Sequence, residues 1–311
     1  MSRVFLCLGC LMAMLPGALL AEEATVWKQA IGFPEFYGYR DSEGFSAYKL
    51  GAGFYPRYEH GDRYTGVEYQ KNHYSQGNWS SWGNEARLVT REINPRTALG
   101  YNLSLGYNQE NNFGLLTTNS QYGFGVTDDT RLELLLMRDR VETQNAIINN
   151  VYYTLPALSV EHKLLERLTL VAMGGDMFFS DTNSRLLLRL KLLYDLVPEQ
   201  GITAQLRYRR FHDSNTNVAF NYFNPASYDE AMLALGMRRR VSGWVLDGAA
   251  GLGRQSVNGQ PTTTQLLEAG ATSPLAERIY FRARLGYGKS ANFQGPNSSF
   301  RYLMGELIFS P

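Results

Sequence analysis

The feature of this sequence that most limits its fold is a repeated alternation of large apolar residues with small or polar ones. Leu99–Tyr107 shows the alternation residue by residue, and it recurs in Arg185–Leu196, Ile202–Tyr208 and Phe281–Tyr287. A period of two places the two residue types on opposite faces of a β-strand. Strong helical periodicity is nearly absent, so the sequence predicts an all-β protein of consecutive strands separated by turns.

A soluble sandwich or a lipocalin would also alternate, but two properties favour a membrane barrel. The alternating segments run to ten residues, whereas strands in globular proteins are usually about 5–6 residues long. Their polar side consists of Gly, Asn, Arg and Glu over the whole length, which suits a water-filled lumen. We therefore predict one transmembrane antiparallel up-and-down β-barrel, with its large apolar residues facing lipid.

The links between the predicted strands alternate between short turns and longer polar segments. The short links are Asn94–Arg96, Thr127–Asp129, Leu165–Arg167, Pro198–Gly201, Val241–Gly243 and Pro274–Ala276; the longer links are Ser75–Trp79, Thr143–Asn149, Ser180–Ser184, Ser214–Pro225, Ser256–Pro261 and Asn292–Ser298. At roughly 18 residues per strand and link, the chain holds about sixteen strands. An even count and short periplasmic turns predict that both termini lie in the periplasm. His162–Leu168 is compatible with a helix, but a turn between two strands fits better.

The first 21 residues, Met1–Ala21, have the order of a cleaved secretory signal peptide. Arg3 precedes an apolar run, and small residues end the segment. Residues 22–311 then form the barrel, in the outer membrane of a Gram-negative cell. Both cysteines, Cys7 and Cys10, fall within the signal, so the mature chain has no disulfide. Removing Arg3 leaves 29 basic and 29 acidic residues, and this neutrality argues against a nucleic-acid partner.

Aromatic residues make up 13% of the chain, and many of them lie near predicted strand ends. Aromatic girdles at the two membrane interfaces would use residues at these positions. The candidates are Tyr37, Tyr39, Tyr55, Tyr64, Trp79, Trp82, Tyr152, Tyr153, Phe178, Phe179 and Trp244.

If the apolar residues face lipid, the lumen collects charges of both signs. The predicted pore-lining residues are Lys49, Glu68, Arg87, Glu133, Arg189, Lys191, Arg207, Arg209, Asp247, Glu268, Arg282 and Arg284. A single-sign ring would indicate ion selectivity. A mixed lining suits polar polymers such as glycans, although a closed structural or receptor barrel could also carry it.

One short motif raises an enzymatic alternative. His212, Asp213, Ser214 and Asn215 resemble the His-x-Ser-Asn motif of outer-membrane phospholipase A and of lipid A 3-O-deacylase. In those families the His serves as the base for a Ser nucleophile at the lipid-facing rim. Residues two apart on a strand face the same side, so His212 and Ser214 could be adjacent. The alternative function is therefore an outer-membrane lipid hydrolase.

A longer stretch that includes this motif resembles exopolysaccharide-export proteins. Arg207–Asn215 is a basic, aromatic strand, and the loop motif Tyr222, Phe223, Asn224, Pro225 and Tyr228 follows it. The sequence is similar here to the barrel of the cellulose and poly-N-acetylglucosamine exporters and to their stand-alone barrel relatives. The resemblance implies a sixteen-stranded barrel and a glycan as the transported partner. Those exporters carry a periplasmic helical-repeat domain, so it also implies a separate periplasmic scaffold.

The leading interpretation is thus a non-enzymatic outer-membrane channel for a polysaccharide or a related polar solute. Its expected partners are outer-membrane lipid and lipopolysaccharide, the barrel-assembly machinery, a glycan and the scaffold. The four histidines are scattered, and no cofactor or metal is expected.

Overall fold

Sixteen strands close into one antiparallel sheet, in which each strand pairs with its neighbours in sequence and β1 pairs with β16. This computed structural model describes residues 27–218, 221–275 and 278–311. The strands are β1 (Lys28–Asp41), β2 (Phe45–His60), β3 (Arg63–Gln76), β4 (Trp79–Ile93), β5 (Gly100–Glu110), β6 (Phe113–Thr127), β7 (Thr130–Arg140), β8 (Tyr152–Leu165), β9 (Leu168–Phe179), β10 (Ser184–Val197), β11 (Ile202–Asp213), β12 (Tyr228–Val241), β13 (Trp244–Val257), β14 (Gln260–Thr272), β15 (Ile279–Lys289) and β16 (Ser299–Phe309). One short helix, α1 (Gln144–Ile148), and one 3-10 turn (Pro198–Gln200) complete the secondary structure of these residues.

The predicted fold class and strand number are confirmed. The turn favoured within His162–Leu168 is also present, since β8 ends at Leu165 and β9 begins at Leu168. Among the described residues, no helix is long and apolar enough to cross a membrane. The predicted signal peptide lies outside the described residues.

The two rims of the barrel differ in their connections. The terminal rim carries the start of β1 and the end of β16; the opposite rim, here the loop rim, carries residues 141–151, 214–227 and 290–298. All six links predicted to be longer lie on the loop rim, but Ser75–Trp79 and Ser256–Pro261 are wrong as long loops. The strands continue to tight turns at residues 77–78 and 258–259. Gly77, Asn258 and Gly259 have positive φ, which two-residue hairpin turns require.

The outer surface is an apolar belt. Leu233 and Leu252 are 70% and 69% exposed, and Trp82 and Phe178 lie on the same surface. An exposed apolar surface of this extent needs lipid to cover it. The girdle prediction is wrong for seven residues whose rings pack in clusters inside the barrel: Tyr37, Tyr39, Tyr55, Tyr64, Trp79, Tyr153 and Phe179. At their positions along the strands, the alternation places these side chains on the inner face of the barrel.

Prolines account for two irregularities in the sheet. Pro34 lies where β1 shifts register against both β16 and β2, between Phe33 and Phe36. Pro56 lies where β2 shifts against β3, between Phe54 and Arg57. Proline has no N–H to donate to a ladder, so it occurs in sheets mainly at such bulges.

A tyrosine cluster covers part of the inner wall towards the terminal rim. Tyr55, Tyr58, Tyr64 and Tyr280 pack together from strands β2, β3 and β15. The Tyr55 hydroxyl donates to Glu68 at 3.0 Å, and its ring packs against the backbone of Gly66 on the neighbouring strand. The absence of a side chain at Gly66 is what permits this contact.

We expect Gly66→Ala to destabilise the barrel. The added methyl group would lie 2.5 Å from the Tyr55 ring and closer still to the Phe54 carbonyl oxygen, so the fully buried ring must move. Overpacking of this kind costs about 1–3 kcal/mol. Urea unfolding in lipid vesicles measures the difference. Gly174→Ala provides a matched control for added volume, because Gly174 also lies in a strand and no atom is nearer than 4.0 Å to its new methyl group; equal stability of Gly66→Ala and wild type would contradict the expectation.

Candidate functional site

Three loops on the loop rim fold inwards and meet over the end of the lumen. They comprise residues 141–151, 214–227 and 290–298, and are called the loop lid here. They leave the sheet four strands apart, after β7, β11 and β15. The Thr143 hydroxyl donates to the Asn221 carbonyl, and Gln294 Nε2 donates to the Glu142 carbonyl at 2.7 Å. Each loop is therefore tied to another above the lumen.

Helix α1 carries the first loop inwards to the part of the wall formed by β2 and β3. Thr143 caps the helix by accepting from the Ala146 N–H. Ile147, 1% exposed, packs with Phe45 and Tyr74 of β2 and β3, several strands away from β7. An ion pair of 2.7 Å between the Lys49 Nζ and Glu142 makes the same connection. The loop therefore folds inwards across part of the lumen instead of standing above the rim.

Arg185, at the start of β10, holds the other two loops. Its Nε and Nη2 atoms donate to Asp213 at 3.0 Å, and Nη2 also donates to the Phe223 carbonyl of the second loop at 2.7 Å. The guanidinium lies over the rings of Phe211, at 4.3 Å, and of Phe293 in the third loop, at 5.4 Å. Both charged side chains are almost completely buried. Arg185 is thus the residue through which the wall holds the loop lid.

Tyr222 fixes the second loop beside this group. Its ring stacks on Phe179 at 4.5 Å, and its hydroxyl donates to Asp181 at 3.1 Å while accepting from Asn183 at 3.0 Å. Burial raises the pKa of the Tyr222 phenol far above its ordinary value. The phenol therefore stays neutral, and its O–H group donates a hydrogen bond to Asp181.

A crevice of about 490 Å³ opens between the loops of the lid. We call it the loop crevice. None of the residues that line it is charged: seven carry amides and three are aromatic. The amides are Gln76, Gln144, Asn145, Asn221, Asn224, Asn258 and Gln294, and the aromatic residues are Tyr222, Phe223 and Phe293. Amides can donate to and accept from hydroxyl groups, and aromatic rings offer flat apolar faces.

A second cavity, of about 690 Å³, lies inside the barrel below the lid and is called the lumenal chamber. Its wall carries four carboxylates and four guanidinium groups: Glu35, Glu68, Asp247 and Glu306, with Arg87, Arg91, Arg282 and Arg284. Most of them pair: Arg87 lies 3.2 Å from both Glu35 and Glu68, Arg282 lies 2.8 Å from Glu306, and Arg284 lies 2.7 Å from Asp247. The chamber is polar but electrically balanced.

One part of the inner wall has an excess of positive charge. In the register of β10 and β11, Arg189 lies opposite Arg209 and Lys191 lies opposite Arg207. We call these four residues the basic wall. Arg209 pairs with Glu230 at 2.8 Å, whereas Arg207 donates to the neutral Gln205. Like charges that face each other across a strand pair repel, and water or a passing anion would relieve the repulsion.

The predicted pore-lining residues do not form one site. Lys49 joins the lid, and Glu68, Arg87, Asp247, Arg282 and Arg284 surround the lumenal chamber. Glu268 lies 4.0 Å from Arg284, and Glu133 faces Ser159 in the register of β7 and β8. The remaining four form the basic wall. That these residues line a path for a solute stays a prediction.

The structure separates the two residues of the hydrolase hypothesis. His212 lies on the outward-facing side of β11, and its Nδ1 atom bonds to the Ala226 carbonyl. The Ser214 hydroxyl accepts from the Ser184 N–H at 2.9 Å and donates to Asn183 at 3.3 Å. No hydrogen bond joins His212 to Ser214 in the part of the chain that the structure describes. Activation of the serine would require that bond.

The loop motif that resembles exporters belongs to the lid and its support. Tyr222 and Phe223 contact the Arg185 group, and Asn224 Nδ2 donates to the Asn215 carbonyl at 3.1 Å. Pro225 lines the loop crevice, and Tyr228 stacks on Phe211 at 4.4 Å. Sequence reasoning missed Arg185, α1 and Gln144. Arg185 was recognised only as a polar residue of an alternating strand, and nothing local indicates that aromatic rings from three other segments enclose it.

The closed sheet, the apolar outer belt and the polar interior define a membrane-spanning antiparallel β-barrel of the outer-membrane type. No family model matches the sequence, and no curated protein matches it either. Among solved structures, the chain is similar to a bacterial polysaccharide outer membrane secretin, with a TM-score of 0.65 and 14% identity over 91% of this chain and 98% of that one. It is similar at a TM-score of 0.44 to the outer membrane protein OprD from Pseudomonas aeruginosa, at 12% identity over 91% of this chain and 94% of that one. At 14% identity, the likeness to the secretin shows the fold alone.

Proposed function

We propose that this protein is an outer-membrane channel that passes a polysaccharide or a related polar solute. In this proposal the loop rim faces the outside of the cell and both termini face the periplasm. The loop lid is then the outer gate, and the solute moves through the lumenal chamber and past the basic wall. The mechanism is passive and rests on weak contacts at several places.

The observation that carries the proposal is the uncharged lining of the loop crevice. A neutral glycan presents many hydroxyl groups and apolar ring faces. Neighbouring amide and aromatic side chains provide a complement to both, without an ionic contact that would hold the chain in place. The polysaccharide secretin with a similar fold supports the choice of solute. The resemblance of Tyr222–Tyr228 to exporter loops supports it independently, because those residues build the crevice.

Single-channel recording in planar bilayers tests this function. We expect neutral oligosaccharides added on the loop-rim side to reduce the ion current, because they occupy the crevice at the mouth of the channel. Addition on the other side should need a higher concentration. A correctly folded barrel that stays silent under all conditions, including a lid-opening substitution, would favour the closed structural barrel instead.

We expect Gln144→Ala to weaken block by oligosaccharides about three- to tenfold, as the loss of one or two hydrogen bonds at about 0.5–1.5 kcal/mol each would do. Gln144 is the first residue of α1 and lines the crevice. The concentration that halves the current measures the effect. Gln260→Ala is the control, since Gln260 is an exposed amide on the loop rim outside the crevice lining; equal block of both variants would contradict a glycan site in the crevice.

A further inference from the structure

A cluster of basic side chains occupies the lipid-facing surface at the loop rim, where β15, β16 and β1 adjoin. Arg40 of β1 lies directly opposite Arg301 of β16, and Arg301 lies opposite Tyr287 of β15. The neighbouring residues Tyr39 and Tyr302 face the lumen, so the two arginines face outwards. Lys289, opposite Ser299, is the diagonal neighbour of Arg301.

The charges of this cluster have no internal partner. Both arginines are exposed. Among residues 27–218, 221–275 and 278–311, no carboxylate forms an ion pair with Arg40, Arg301 or Lys289. The nearest acids in the chain are occupied elsewhere: Asp41 accepts from the backbone N–H groups of Glu43 and Phe45, and Glu43 accepts from the Ser42 hydroxyl.

Such an arrangement is unfavourable on its own. Side chains directly opposite each other in an antiparallel pair have Cβ atoms about 4.5–5.5 Å apart, and like charges at that distance destabilise the pair. Other outward-facing arginines of the loop rim avoid this: Arg210 lies 3.6 Å from Asp229, and Arg138 lies over the ring of Tyr152. The cluster therefore indicates an anionic ligand from outside the protein.

The position of the cluster identifies the kind of anion. Leu303, two residues from Arg301, and Leu285, four residues from Lys289, are exposed and belong to the apolar belt, while Tyr287 provides an interfacial aromatic ring. The basic side chains thus lie at the level of lipid headgroups. Guanidinium groups bind phosphate through paired N–H donors, and the Ser42 and Ser299 segments add polar groups beside them.

We propose that Arg40, Arg301 and Lys289 bind a phosphate of lipid A in the outer leaflet. The assignment rests on the proposed orientation of the loop rim towards the cell exterior, but not on the transport of a glycan. Two guanidinium groups and one ammonium group face one phosphorylated glucosamine headgroup, whose acyl chains extend along the apolar belt beside Leu303 and Leu285.

Native mass spectrometry of the protein purified from outer membranes tests this site, with diphosphoryl lipid A, dephosphorylated lipid A and phosphatidylglycerol as separate probes. We expect wild type to retain one diphosphoryl lipid A, and Arg40→Gln with Arg301→Gln to bind it at least tenfold more weakly. Arg254→Gln is the matched control and should bind as wild type does, because Arg254 is exposed on the outward face of β13 at the loop rim and lies opposite the uncharged Ala231 and Thr263.

Three results would overturn the assignment: equal retention of diphosphoryl lipid A by the double variant, equal binding of the dephosphorylated form, or equally tight binding of phosphatidylglycerol. The electrophoretic shift of the unheated barrel confirms that each variant is folded, and the single variant Arg301→Gln provides the same test with less change. Because the measurement involves no conductance, failure of the channel proposal and failure of this site are distinguishable.

Discussion

The variant Arg185→Met is expected to convert a barrel whose lid is closed most of the time, and which conducts only in brief openings, into a channel that stays open. The substitution leaves Asp213 buried with only the amide of Asn183 as a hydrogen-bond donor, and it leaves the Phe223 carbonyl without the Arg185 guanidinium. Loss of one partner from a buried ion pair costs about 3–5 kcal/mol. Release of the second and third loops would let water hydrate the Asp213 carboxylate. The free-energy cost of the unpaired charge therefore falls on the closed lid and not on the open one.

This difference in free energy shifts the equilibrium between closed and open lid by about two to four powers of ten. Single-channel conductance in planar bilayers measures the shift as longer and larger openings. The barrel wall should remain intact, because Arg185 and Asp213 lie at the loop-rim ends of β10 and β11 and the ladder of those strands continues below them.

The control removes both charges. Replacing a buried ion pair by apolar residues of similar volume is often neutral for stability. The double variant Arg185→Met with Asp213→Leu should therefore close again, in large part, despite carrying one more substitution. An Arg185→Met channel that conducts as wild type does would show that the Arg185 group does not hold the lid closed.

The sequence permitted the barrel to be predicted because each strand carries its own evidence. In Leu99–Tyr107 and Phe281–Tyr287 the alternation of apolar and polar residues depends only on the strand itself. The number of strands followed from the regular length of strand and link. The alternation and the regular length of strand and link are local properties of the sequence, so they can be recognised without knowledge of the fold.

The loop lid could not be predicted in the same way. Ile147 contacts Phe45 and Tyr74, which lie 102 and 73 residues away along the chain. Arg185 is surrounded by rings of Phe179, Phe211 and Phe293, and only the folded barrel brings these together. The girdle prediction fails for the tyrosines of the inner wall for the same reason. A position near a strand end does not show whether a ring faces the lumen or the lipid.

The resemblance to exporters indicated a loop that the structure places in the lid, but it indicated nothing about the contacts of that loop. The residues of Tyr222–Tyr228 provide rings for the Arg185 group and one amide, that of Asn224, for the loop crevice. The spacing of the other two lid loops, four strands apart on either side, has no counterpart in any motif. The site is therefore a property of the closed sheet, which determines where loops from distant segments meet.

The basic wall is expected to make the open channel prefer anions. Arg189, Lys191 and Arg207 have no carboxylate within ion-pair distance among the described residues, whereas the lumenal chamber is balanced. The negative charge of Glu268 attracts Lys191 across the lumen, but Glu268 also lies 4.0 Å from Arg284. A row of one sign of charge along a water-filled path raises the local concentration of the opposite ion.

We therefore expect Lys191→Gln with Arg207→Gln, in the Arg185→Met background, to lower the anion-to-cation permeability ratio several-fold towards unity. Reversal potentials in a salt gradient measure the ratio, and the background ensures that the lid does not limit the current. The matched control neutralises one balanced pair of the chamber, Arg284→Gln with Asp247→Asn, and should leave the ratio unchanged. If the chamber pair changed the ratio as much as the basic wall did, selectivity would not reside in the wall.

If the anion selectivity resides in the basic wall, oligosaccharides with carboxylate groups should block the channel more strongly than neutral ones of equal length. The reason is that the wall would add an ionic contact to the contacts made by the loop crevice.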